Sequence, residues 1–230
     1  RLGLSWLNLR HLQREGHQVP SELAREIDAD RLARMSVYAL DRTRLGWLRS
    51  TVISLATGVF LFGGLLGHYA TWIHGLTTSF VEGGVLFFVG LRLMSALVEV
   101  PFSLYMDFRV EARHGFNRKT VALWWSDWLK DLLVSLILTA ILCAGALWLV
   151  QATPGTWWLW VSLLVAGTSV LLTFISPYVI EPLFYTMEPL QVDGLEAGVL
   201  AMTQRAGVKV QRVLKVDASR RSSHSNAYFT

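Results

Sequence analysis

The hydropathy pattern has one dominant feature: between Asp131 and Glu181 the chain carries no Asp, Glu, Lys, Arg or His. A helical bilayer crossing needs about 20 apolar residues, so the 49-residue run Leu132 to Ile180 is too long for one helix and suits two. Pro154 and Gly155, inside Gln151-Ala-Thr-Pro-Gly-Thr156, interrupt it, because neither residue continues a helix well. The pattern therefore predicts spans over about 132–150 and 157–180. Two further apolar stretches, 50–69 and 83–106, predict two more spans, the second carrying only Arg92 and Glu99 as charges. Leu2 to Leu9 reads as the end of a hydrophobic helix, a partial first span over about 1–9. Gly63 and Gly67 have the GxxxG spacing that lets another helix approach closely.

Polar segments separate the spans. Residues 10–49 and 107–131 are predicted as loops, with a surface helix opening near Pro20-Ser21-Glu22. His68, His74 and Glu82 mark a short polar loop without Lys or Arg. After Ile180 the chain reads as a mixed segment. Asp193 and Glu196 have capping-box spacing, and Leu195, Val199, Met202 and Ala206 repeat on one helix face before Gly207. Gln211 to Val216 and Asn226 to Thr230 are predicted strands.

The charge distribution adds an orientation. Of the 21 Lys and Arg residues, nineteen fall in segments 10–49, 107–131 and 181–230, so those segments are expected at the cytoplasmic face. Trp124, Trp125 and Trp128, and Trp157, Trp158 and Trp160, are expected as interfacial belts. A charged fraction of 17% with 53% hydrophobic residues suits a polytopic membrane protein, and a net charge of +4 gives no reason to invoke nucleic acid. The fold class is therefore mainly α, with a transmembrane domain over 1–180 and the start of a cytoplasmic domain over 181–230. No oligomeric state is implied.

Candidate chemistry is sparse. Arg92 and Glu99 are seven residues apart, on one helix face and about 10 Å apart along it. Ionisable groups within a span usually face a cavity or partners on other helices, so the pair marks either a water-filled chamber or structural ion pairs. Cys143 is a small apolar packing residue. No histidine pair has the i, i+4 spacing of HExxH.

The run Asp107-Phe-Arg-Val-Glu-Ala-Arg-His-Gly-Phe-Asn-Arg-Lys-Thr120 fits the pattern F-x-x-E-x-x-x-G-F-N-x-x-T, with Glu111, Gly115, Phe116 and Asn117 as its signature residues. Further matching stretches are Val19-Pro20, Tyr38-Ala-Leu-Asp41, Ser176-Pro-Tyr-Val-Ile-Glu-Pro-Leu-Phe184, Pro189-Leu190 and Asp217 to Phe229. Together they resemble the integral-membrane zinc metallopeptidases typified by the type 1 CAAX prenyl protease. The resemblance implies a membrane zinc endopeptidase with a cytoplasmic α+β zincin-like domain. It implies that Asn226, Ala227 and Tyr228 form a substrate-binding edge strand, and that zinc ligands and HExxH follow Thr230. Peptide or lipidated-peptide substrates and membrane lipids are the expected partners, and a bacterial inner membrane the expected location. The competing expectations are an inactive scaffold or quality-control adaptor, or a small-solute transporter using the Arg92 and Glu99 face.

Overall fold

The computed structural model describes residues 2–15, 28–190, 194–207, 210, 213–217 and 219–223. Helices dominate: α1 (Leu2–Glu15), α2 (Ala29–Phe62), α3 (Leu65–Leu76), α4 (Phe80–Tyr105), α5 (Val121–Ala152), α6 (Trp157–Ile175), the single turn α7 (Glu181–Phe184) and α8 (Leu195–Arg205). π-helical segments, Met106–Glu111 and Ser176–Ile180, extend α4 and α6. Strands β1 (Thr186–Pro189) and β2 (Leu214–Asp217) pair antiparallel, with Thr186 opposite Asp217 and Pro189 opposite Leu214.

Among the described residues, four helical stretches are long and apolar enough to cross a membrane: Leu32–Phe62, Phe80–Glu111, Val121–Ala152 and Trp157–Phe184. Almost none of their apolar windows is buried within the protein, and Phe62, Ile141, Trp148 and Phe174 are all strongly exposed. A lipid environment resolves that cost, since in water such a surface would drive aggregation.

The helices extend well beyond the apolar runs. At 1.5 Å per residue, the 34 residues of α2 and the 32 of α5 span roughly 50 Å, against a hydrocarbon core of about 30 Å. The expected loops 10–49 and 107–131 are therefore largely helical: α2 begins at Ala29, and α5 at Val121. Charged residues disfavour hydrocarbon, not helix, so a change in composition does not mark a helix end. Thr120 supplies the real start signal for α5, its Oγ1 accepting the Leu123 N–H at 3.2 Å as an N-cap. Pro20-Ser21-Glu22 lies outside the described residues.

The predicted span 50–69 is broken. Gly63 ends α2, and Gly64 turns the chain with φ of 82°, a left-handed conformation that costs glycine nothing. Gly63 and Gly67 are consequently not a helix-packing pair, and nothing lies within 4 Å of a side chain built at Gly67. The close approach occurs at Gly90, where an added Cβ would collide with the Tyr69 hydroxyl. That hydroxyl donates to the Phe87 carbonyl at 2.9 Å. His68 and His74 lie on or at the end of α3 and not in a loop. The loop is Thr77 to Ser79, where Ser79 Oγ accepts the Glu82 N–H and Thr77 Oγ1 donates to Glu82 Oε2 at 3.0 Å.

The turn at Pro154 is local: Thr156 N–H bonds the Thr153 carbonyl at 3.0 Å, and α6 starts at Trp157. Trp157, Trp158 and Trp160 are exposed, as an interfacial role requires, whereas Trp124 is buried and stacks near-parallel on Trp128. In the tail, Asp193 lies outside the described residues and Gly194, at φ of 77°, begins α8. β2 falls at 214–217, within and just past the expected strand 211–216.

Contacts divide the chain into two compact units, 1–117 with 132–161, and 118–131 with 162–230.

Candidate functional site

In the first unit the signature run builds a helix end with defined hydrogen bonds. The Phe116 N–H reaches the Glu111 carbonyl at 2.9 Å and the Gly115 N–H reaches that of Ala112 at 3.1 Å. These are the 6→1 and 5→2 bonds of a Schellman cap, with Gly115 at the left-handed position, φ of 76°. The Asn117 N–H adds a second, longer bond to the Glu111 carbonyl at 3.3 Å. The glycine of the signature thus follows from backbone geometry.

The same run receives α2. Tyr38 donates its hydroxyl to Glu111 Oε1 at 2.6 Å, and its ring packs edge-on against His114 and Phe116 with centroids 5.1 and 5.0 Å away. One helical turn on, Asp41 Oδ2 lies 3.2 Å from His114 Nε2 and accepts from Arg113 Nη1 at 3.3 Å. Tyr38-Ala-Leu-Asp41 and the signature run therefore form one interlocked cluster. Spacing offered no sign of this, because 73 residues separate Tyr38 from Glu111.

Deeper in the span, Glu99 meets Arg49 of α2, Nη2 to Oε1 at 2.6 Å. Arg49 is the residue that composition hides: by sequence it belongs to the polar segment 10–49, yet continuous α2 carries it opposite Glu99. Both side chains are about half exposed, 48% and 47%.

The second unit has its own polar centre. Arg221 donates from Nε and Nη2 to the two carboxylate oxygens of Asp127 at 2.8 and 2.9 Å, with both side chains largely buried. The guanidinium also lies over the Tyr185 ring at 4.8 Å. The Asp127 carboxylate holds the Arg221 pKa above its ordinary value. The Arg221 carbonyl accepts the Arg118 N–H at 3.2 Å, and Lys130 Nζ donates to the Leu183 carbonyl at 2.9 Å. Asp217, at the end of β2, accepts both the hydroxyl and the backbone N–H of Ser219, which lowers its pKa. The expected substrate strand, Asn226, Ala227 and Tyr228, lies outside the described residues.

Among the described residues, no three His, Cys, Asp or Glu side chains come together to hold a metal. The described residues therefore form no zinc site of their own.

Residues 8–186 match the family model of the CAAX prenyl protease N-terminal region, described as five membrane helices. The chain is 30% identical over 220 residues to a CAAX prenyl protease 1 homolog of Oryza sativa, covering 91% of this chain and 51% of that protein. It is 27% identical over 227 residues to the Homo sapiens homolog, covering 96% of this chain and 48% of that one. The crystal structure of S. mikatae Ste24p matches with a TM-score of 0.88 at 27% identity, covering all of this chain and 55% of that one. The chain thus spans about half the length of these relatives. They are eukaryotic and lend no support to a bacterial inner membrane. With the polytopic helical architecture and the capped signature run, the match over most of its length makes this chain a member of the CAAX prenyl protease family, a family of membrane-embedded proteases.

Proposed function

We propose that the full-length protein is a zinc metalloendopeptidase that hydrolyses peptide bonds of CAAX-like or other membrane-proximal substrates at the cytoplasmic face. This chain supplies the membrane chamber and the substrate-binding strand. The observation that carries the reading is the likeness to Ste24p over the whole chain, TM-score 0.88 at 27% identity, together with relatives named CAAX prenyl proteases.

The ion pair of Arg49 and Glu99 supports the chamber. Charges within a span avoid lipid and face an aqueous cavity or protein, and Arg49 and Glu99 answer each other from two candidate spans. Arg92, seven residues from Glu99 on α4, belongs to the same lining. Asn226, Ala227 and Tyr228 would bind an extended substrate by strand addition, where main-chain hydrogen bonds fix the register with little side-chain selectivity. Zinc, held by ligands outside the described residues, would polarise a water and the scissile carbonyl.

The test uses purified full-length protein: its zinc content, and cleavage of a farnesylated CAAX peptide before and after chelation. Stoichiometric zinc with chelator-sensitive, zinc-restored cleavage is expected. A folded protein without zinc or cleavage overturns the reading in favour of an inactive scaffold.

A further inference from the structure

A groove of about 1200 Å³ runs between residues 41–48 of α2 and residues 101–113 of α4 and its π-helical extension, all within the first unit. Its lining is graded along its length. Asp41 and Arg44 on one helix, and Arg109 and Arg113 on the other, line one end. Leu48, Pro101 and Phe102 line the other, with Leu45 and Phe108 between. The gradation follows from sequence order, because both helices pass from their charged ends into their apolar runs over these residues.

The charges at the polar end are unbalanced. The Asp41 carboxylate is already engaged by Arg113 and His114. The side chains of Arg44 and Arg109 are exposed and make no hydrogen bond or ion pair with another described residue. Beyond the apolar end the charges are matched, since Arg49 pairs with Glu99. Backbone irregularity accompanies the groove: Pro101 removes a helical donor, and the π-helical segment supplies Phe108 and Arg109 to the wall. π-helical turns are rare and gather at functional sites.

We infer that this groove binds an anionic phospholipid, its phosphate held by Arg44 and Arg109 and an acyl chain lying along Leu45, Leu48, Phe102 and Phe108. A soluble anion would not need the apolar walls, and an apolar peptide would not need two uncompensated guanidiniums. A lipid carries both chemistries in the order the groove presents them. Basic pockets between spanning helices are the usual form of anionic headgroup sites, and these basic ends are the ones expected at the cytoplasmic face.

Native mass spectrometry of the full-length protein, delipidated and then titrated with phosphatidylglycerol or phosphatidylcholine, tests the site. Preferential retention of phosphatidylglycerol is expected. R44Q/R109Q should weaken it about thirtyfold, roughly fivefold per guanidinium, with phosphatidylcholine unaffected. Leu48→Trp, which fills the apolar end, should weaken both lipids. Equal binding of the two lipids by wild type overturns the inference, as does undiminished phosphatidylglycerol binding by folded R44Q/R109Q or L48W. Displacement of phosphatidylglycerol by equimolar inorganic phosphate also overturns it, since the headgroup alone would then suffice. If the glutamine pair does not fold, the wild-type lipid comparison and L48W decide.

Discussion

Tyr38 and Glu111, 73 residues apart, are joined by a hydrogen bond of 2.6 Å, and the carbonyl of the same Glu111 closes the cap over Gly115. One residue therefore fixes both where the signature helix ends and where α2 docks. A hydrogen bond to a charged group contributes about 1.5–3 kcal/mol, and an orphaned partner costs a similar amount. Tyr38→Phe should destabilise by about 2 kcal/mol, and Glu111→Gln by less because an acceptor remains. A double-mutant cycle read by thermal unfolding should give a coupling above about 1 kcal/mol. Additive losses would mean that the Glu111 charge adds nothing to the bond.

Gly115→Ala forces a Cβ into the left-handed cap, at a cost of about 1–2 kcal/mol. Gly115→Asn should cost visibly less, because Asn tolerates that region. Equal melting temperatures for the two variants would contradict the cap assignment.

Arg221→Lys keeps the charge but loses the bidentate geometry to Asp127 and much of the contact with Tyr185. The segment around residue 221 should then open more often, with faster amide exchange at Arg118, whose N–H bonds the Arg221 carbonyl. A rise of about tenfold is expected from a loss near 1.4 kcal/mol. Unchanged exchange would separate the ion pair from the backbone bond.

Asp217 gives a pH dependence with a definite sign. Its folded pKa is lowered by the Ser219 hydroxyl and then the Ser219 N–H, so the turn after β2 gains stability above the ordinary carboxylate pKa and loses it as pH falls through the depressed value. Ser219 amide exchange, corrected for intrinsic pH effects, should accelerate only in that acid range. In Asp217→Asn the acid step should vanish.

Local features were legible in the sequence and distant pairings were not. Pro154 and Gly155 interrupt a charge-free run, and the helix break depends only on their own chemistry. Gly63 misled, because a glycine pair that turns the chain and a small-residue pair that packs helices share one spacing. The polar segments misled through composition: Asp30 to Arg49 is as helical as the apolar run it precedes. The partnerships of Glu99 with Arg49, Glu111 with Tyr38 and Asp127 with Arg221 lie 50, 73 and 94 residues apart, distances at which no periodicity links two side chains.

The central claim is that this chain contributes the strand on which a zinc peptidase holds its substrate. Steady-state cleavage of a farnesylated CAAX peptide by full-length Ala227→Pro protein, with zinc content measured in the same preparation, tests it most directly. Proline removes one main-chain donor from the proposed strand, so kcat/KM should fall at least tenfold, about 1.4 kcal/mol, while zinc stays stoichiometric. Unchanged kcat/KM in a zinc-replete variant would contradict the claim.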